Sequence, residues 1–189
     1  MLKTRTKKLN DCNSKQGTVV YWMSREQRVN DNWALLVAQQ MAIERKEPLV
    51  VAFCIVNRFL NAGLRQFDFM LKGLKESSLL LKEKNIPFIL LRGLPYEKIP
   101  KFINKIDASV LVTDFDPLKI KKEWKEKILP QLTIPFYEVD SHNIIPVWVT
   151  SNKQEFGAYT IRPKIKKILP DFLTDFPELK KPEEDQNVR

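Results

Sequence analysis

Apolar residues along this chain fall into two kinds of run. Short continuous runs alternate with longer stretches in which apolar positions recur every three or four residues. Thr18–Met23, Leu49–Val56, Phe88–Leu91, Ser109–Thr113 and Ile134–Val139 read as five strands. Strands apolar on both faces suit a parallel sheet covered by helices on each side. Between them lie helical patterns. Asn30 or Asp31 can cap a helix carrying Trp33, Leu36, Val37, Gln40 and Met41, which Pro48 ends. Leu64 to Lys84 places Phe67, Met70 or Leu71, Leu74, Ser78 and Leu81 on one face and charged residues on the other. Pro95 sits at the start of a helix with Ile99, Phe102, Ile103 and Ile106 inward. Pro117 opens another through Ile128, with Ile120, Trp124 and Ile128 inside and lysines outside. Ile145–Val149 is an added strand or a buried loop, and Ile161–Leu173 a last amphipathic helix. Strands alternating with helices predict an α/β, Rossmann-like fold: an open, parallel, five-stranded sheet with helices on both faces.

Composition divides the chain without changing that picture. Residues 1–16 hold five basic residues against Asp11 and show no periodicity, so they read as a basic flexible extension. Residues 17–175 are the α/β domain, and 176–189, with Pro177 and Pro182, a linker or tail. The whole is 189 residues, 43% hydrophobic and 29% charged, the size and composition of one globular domain. No apolar run approaches the ~18 residues of a membrane span. The Lys-rich start lacks the apolar stretch of a secretory leader, and two cysteines cannot form a disulfide framework, so the expected setting is cytoplasmic. Of the net charge of +9, the extension carries +4 and the rest of the chain +5, a mild excess that permits contact with an anion but does not demand one.

In such a sheet a ligand sits outside the carboxyl ends of the strands, where strand order reverses. The segments to inspect are therefore residues 24–28, 57–60, 114–117 and 140–143. With five glycines and neither G-x-G-x-x-G nor G-x-x-x-x-G-K-[ST], the chain has no Gly-rich phosphate cradle. One histidine and no C-x-x-C exclude a structural zinc site. His142 reads as an acid/base residue or as a polar loop residue; the lack of a nucleophile in a matching motif favours the second. Asp114 and Asp116 can act as a carboxylate pair or cap the helix near Pro117. Arg25 and Arg28 can hold an anion or stay solvated. Cys54, inside a strand, reads as a small buried apolar residue, and the four tryptophans mostly as core.

The same loops carry a family resemblance. YWMSREQRVNDNWAL (Tyr21–Leu35), RQFDFMLKGL (Arg65–Leu74), VTDFDPL (Val112–Leu118), EVDSHNIIPVW (Glu138–Trp148) and TIRPK (Thr160–Lys164) resemble, in order, the motifs of class II cyclobutane pyrimidine dimer (CPD) DNA photolyases. The resemblance spans about Val19 to Leu179 and covers only that family's N-terminal α/β part. It implies an antenna domain involved in light-dependent DNA repair (photoreactivation). This domain holds a light-harvesting pigment, 8-hydroxy-5-deazaflavin or else FMN or folate, and passes excitation to FAD. The FAD, the flipped dimer and the lyase chemistry belong to a helical FAD-binding domain, in cis or in trans. Damaged DNA is then a partner only through that domain, no membrane is involved, and no catalytic or metal-binding residue is expected in this chain. Carried over position by position, the resemblance puts Met23 and Arg25 after strand one, Cys54 and Ile55 at the end of strand two, Arg65 at the start of the long helix, and Asp114 and Phe115 after strand four in the pigment cleft. Glu26 stands where many relatives have Asp, and Gly157 and Tyr159 depart from the usual residues before Ile161. Two other classes remain open: a stand-alone α/β protein binding a small ligand or nucleotide, and a ligand-free scaffold docking a helical partner. The apolar residues of the 160–175 helix further predict a docking surface or self-association.

Overall fold

The computed structural model of the chain describes residues 2–181. A helical turn, α1 (Leu2–Arg5), leads into a short strand, β1 (Thr6–Lys8). The alternating units follow: β2 (Thr18–Met23), α2 (Trp33–Arg45), β3 (Leu49–Ile55), α3 (Leu64–Glu83), β4 (Phe88–Arg92), α4 (Pro95–Lys105), β5 (Ala108–Asp114), α5 (Lys119–Ile128) and β6 (Phe136–Val139). Two short helices, α6 (Val147–Thr150) and α7 (Ala158–Ile168), and a 3-10 turn at Leu169–Phe172 come after the sheet. The sheet order is β1-β6-β5-β2-β3-β4, parallel throughout except for β1 against β6. Strand order therefore reverses between β2 and β5.

Successive side chains of a strand point to opposite faces, and this sorts the apolar runs into two cores. Val19, Tyr21, Met23, Val51 and Phe53 pack with α2 and the inner residues of α3, Leu74 and Leu81. Val20, Trp22, Val50, Ala52 and Cys54 pack with Ile99, Phe102 and Ile103 of α4 and Trp124 and Ile128 of α5. Both faces of the central strands are covered, which is why β2 and β3 are apolar without alternation, whereas the edge strand β4 leaves Ile89 and Leu90 exposed. Gly17 precedes β2 where a Cβ would lie 2.1 Å from the Asp107 carbonyl oxygen, so only glycine permits β2 to approach β5 this closely. Among the described residues, no helix is long and apolar enough to cross a membrane.

The α/β architecture is as expected, with five corrections, one being that Ile145–Val149, expected as an added strand or a buried loop, instead runs into the helix α6 with Val147 and Val149 exposed. The sheet has six strands, not five, because β1 adds an antiparallel edge. The first residues are accordingly not a free extension. Thr6–Lys8 pair with β6, Asn10 brackets it by donating to the Ile134 carbonyl and accepting from Phe136 N–H, and Arg5 is buried. Residues 176–181 of the expected tail also pack on the domain. Phe176 lies 4.4 Å from the Trp33 ring, and Gln39 exchanges two hydrogen bonds with Lys180. The rest of that tail lies outside the described residues. Finally, Asn32 caps α2, not Asn30 or Asp31, its side chain accepting from Leu35 N–H.

Candidate functional site

The point where strand order reverses is occupied by the chain itself. Asp114, the last residue of β5, turns its carboxylate toward the loop after β2. One oxygen accepts from the Tyr21 hydroxyl at 2.8 Å, and the other from the backbone N–H groups of Ser24, Arg25 and Glu26 at 2.8–3.2 Å. Asn32 completes the knot by donating to Tyr21 Oη and to the carbonyls of Glu26 and Arg28. Burial pushes the Asp114 carboxyl above its ordinary value, while the donors pull it back; burial also carries the Tyr21 phenol well upward. With both oxygens engaged and 2% of its surface exposed, Asp114 holds a loop and has no free face for a ligand.

The open crevice lies one strand over. Phe53, Cys54, Ile55 and Val56, at the carboxyl end of β3, form one side of it. Gln66, Phe67 and Met70 of α3 form a second side, and Phe59, Lys121 and Trp124 a third. Gln27 and Ala62 complete the lining. The cavity measures about 140 Å³ and opens to solvent, with about 540 Å³ of empty space once its mouth is included. Phe59 and Trp124 stand with ring centroids 6.0 Å apart. The lining is mostly apolar with a few polar groups, the usual character of a small-molecule site. Burial pushes the Cys54 thiol up to about 12, with Lys121 and Lys98 pulling the other way, so Cys54 is a wall residue and not a thiolate nucleophile. A flat heteroaromatic matches this donor set: aromatic and aliphatic walls for its faces, two amides and an ammonium for its edges.

Of the seven residues expected at the cleft, the structure brings Cys54 and Ile55 to it. Met23 is fully buried in the α2-side core. Arg25 makes a long 3.5 Å contact to the Phe115 carbonyl beside the Asp114 knot. Phe115 stands edge-on to Trp148, with ring centroids 5.7 Å apart. Arg65 lies on the exposed first turn of α3 and lines a shallow surface depression with Asp68, Phe69 and Lys72. Gln27 and Phe59 fall within the strand-end segments 24–28 and 57–60. Lys121 was legible in principle: three residues before Trp124 and seven before Ile128, it shares their inward face.

Three further polar clusters brace the strand ends. His142 Nδ1 lies 2.9 Å from the buried Glu26 carboxylate, which also meets Arg28 at 3.0 Å, so His142 ties the loop after β6 to that after β2. Asp140 accepts from Asn143 and from Val147 N–H and shapes the turn into α6. Lys125 and Glu138 form a buried ion pair linking α5 to β6.

Comparisons with known proteins bear on the family and the fold. Residues 19–183 match the family model described as DNA photolyase. A deoxyribodipyrimidine photo-lyase of Potorous tridactylus is 50% identical over 160 residues, covering 84% of this chain and 30% of that protein. One of Arabidopsis thaliana is 45% identical over 168 residues, covering 88% and 34%. One of Methanothermobacter thermautotrophicus is 37% identical over 155 residues, covering 82% and 34%. The chain thus spans about a third of the length of these curated relatives. A Synechocystis cryptochrome structure superposes with a TM-score of 0.70 at 17% identity, over 91% of this chain and 38% of that one, which is a likeness of fold. The chain therefore belongs to the DNA photolyase family, of which it carries the N-terminal α/β domain.

Proposed function

We propose that this chain is the light-harvesting antenna domain of a class II CPD photolyase. In this reading the cleft between β3, α3 and α5 holds a flat heteroaromatic pigment, and excitation passes to FAD in a helical domain. The observation that supports it is the aromatic-walled cleft at the carboxyl end of β3, beside the reversal point that Asp114 closes. Phe59 and Trp124 on one side and Phe67 and Met70 on another would hold the ring faces; Gln27, Gln66 and Lys121 would meet polar edges. When bound, the pigment supplies absorption of near-UV or blue light. The chain's own part is to hold it in a fixed orientation and exclude water from its faces.

The helical partner domain docks, in this reading, on the C-terminal face. Helix α7 has no fully buried residue; Ile161, Ile165 and Ile168 are only half-buried, and Phe156 and Tyr159 stand exposed. FAD binding, contact with damaged DNA and repair belong to that domain. The purified 189-residue chain is therefore expected to bind added deazaflavin or FMN with one saturable site, to hold no stoichiometric FAD, and to leave thymine dimers intact under blue light. Absorption spectroscopy and a dimer-repair assay check this. Stoichiometric FAD or light-dependent repair by the chain alone would overturn the antenna assignment; absence of any pigment binding would favour a ligand-free scaffold.

A further inference from the structure

We propose that β4 pairs antiparallel with the β4 of a second copy of this chain, across a two-fold axis at Leu90, so that two sheets run on as one. No β4 residue lines the cleft between β3, α3 and α5.

The two edges of the sheet are built differently. At one, β1 is three residues long and exposes Lys7 and Lys8, and short, charged strands resist further pairing. At the other, β4 reads Phe-Ile-Leu-Leu-Arg, with no charge before Arg92 and no proline or bulge within it. Ile89 is 37% exposed and Leu90 50%. The backbone of β4 is aimed in two directions. Val51 N–H donates to the Pro87 carbonyl, and Gly93 N–H to that of Ile55. Odd-numbered residues therefore bond to β3. Phe88, Leu90 and Arg92 turn their N–H and C=O groups to the open side, where the sheet has no next strand.

That outward set is symmetric about Leu90. In an antiparallel pair centred there, Leu90 exchanges both hydrogen bonds with its own copy, and Phe88 exchanges them with Arg92 of the other chain. Paired side chains share a face of the sheet. Leu90 thus meets Leu90 and the Arg92 cation meets the Phe88 ring, while Ile89 meets Leu91 on the opposite face.

A strand of five residues falls short of the roughly 800 Å² per partner that a stable dimer buries, and α3 supplies the remainder. It packs over β4: Phe67 shares a shallow hollow with Leu90 and Arg92, and Leu74 and Leu81 share a core with Phe88. With strands about 4.8 Å apart, a helix over β4 and its neighbour stands about 5 Å from the axis and about 10 Å from its copy, which is helix-packing distance. Leu64 and Leu71, three residues before and four after Phe67, lie on the side of α3 toward β4 and are exposed. Asp68 and Lys75 flank Leu71 on that side, also exposed. Antiparallel packing sets Leu71 beside its copy and Asp68 opposite Lys75 of the other chain, so the helix contact is complementary in charge as well as apolar. Asp68 already holds Lys72 at 2.7 Å, and a carboxylate has lone pairs for a second cation.

Sedimentation of the 189-residue chain between about 1 and 200 μM is expected to show a monomer–dimer equilibrium with Kd near about 10 μM, the range of a small interface. Leu90→Lys sets a charge at the axis against its own copy. Leu90→Pro removes an outward N–H, a change that an edge strand accepts. Each is expected to raise Kd at least about tenfold, and so is Leu71→Lys on α3, which leaves β4 untouched. Ile43→Lys, equally exposed but on α2, should leave Kd within about twofold. In a chain carrying Cys12→Ser, Leu90→Cys should form a disulfide-linked dimer on mild oxidation, because paired Cα atoms about 5.5 Å apart are within disulfide reach. Circular dichroism confirms that each variant is folded. A chain that stays monomeric to about 200 μM, or a dimer that survives both Leu90 substitutions, overturns the proposal. A dimer lost instead in Phe156→Lys, just before α7, assigns self-association to that face and overturns it as well. None of these outcomes touches the antenna reading.

Discussion

Replacing Asp114 by alanine is expected to cost about 4 kcal/mol of folding stability, from several buried donors losing their acceptor at about 1–3 kcal/mol each with partial relaxation. The Tyr21 hydroxyl and the N–H groups of Ser24, Arg25 and Glu26 all converge on this carboxylate. Those of Tyr21, Ser24 and Glu26 cannot reach water while the loop keeps its place, since these three residues are buried. The variant either unfolds or releases the loop after β2, and with it the Glu26–His142 strap. Urea denaturation measures the loss directly, as a fall in midpoint at unchanged slope. A loss below about 1 kcal/mol would mean that the carboxylate is not the hub described here. A contact to pigment, by contrast, would leave stability intact and weaken only ligand binding; the geometry assigns Asp114 the structural part.

The second large effect is expected at Arg5. Its guanidinium donates to the carbonyls of Asp140 at 3.2 Å and Asn143 at 2.8 Å and to that of Ile144, and lies 4.7 Å from the Trp33 ring centroid and 5.6 Å from that of Phe172. The Arg5 carbonyl accepts from Asp140 N–H in return. Burial lowers its pKa while Asp140 raises it, and Nε has no partner, so the charge is held by its carbonyls and its aromatic platforms. Arg5→Met is expected to cost about 3 kcal/mol, because charge-assisted hydrogen bonds to several carbonyls are lost at about 1.5–3 kcal/mol each with partial solvation of the freed groups. Arg5→Lys should recover less than half, since a point charge cannot serve a fork of acceptors. The same urea experiment reads both variants. If residues 2–9 were a loose extension, Arg5→Met would shift stability by less than about 0.5 kcal/mol, as exposed substitutions do.

These two residues mark where the sequence stopped being legible. The five parallel strands were readable because each is apolar on both faces and each is bounded by turn residues. Arg5 was not, because a basic residue in a Lys-rich, aperiodic stretch carries the signature of solvated chain. Only the tertiary placement of the 140–144 carbonyls gives its guanidinium a reason to be buried. Asp114 was correctly marked as special by its position after a central strand, but position does not say whether a carboxylate faces a ligand or its own backbone. The three N–H groups that decide it belong to a loop some 90 residues away. The cleft suffered from the same ambiguity. Cys54 and Ile55 were expected there through the family resemblance, whereas Phe59 and Trp124 reach it from a loop and a helix whose relative placement local pattern does not encode. Lys121 was hidden among the lysines of α5, although its spacing from Trp124 and Ile128 put it on the inward face.

The central claim is that the β3–α3–α5 cleft is where a pigment sits, and filling the cleft tests it most directly. Ala62 lines the cavity from the loop before α3 and is only half-buried, so a large side chain can enter without disturbing either core. Titrating 8-hydroxy-5-deazaflavin and FMN into the wild-type chain and into Ala62→Trp, with circular dichroism confirming equal folding, should show one saturable site in the wild type and a loss of about tenfold or more in the variant. Equal affinity in both chains would place any pigment elsewhere and contradict the account.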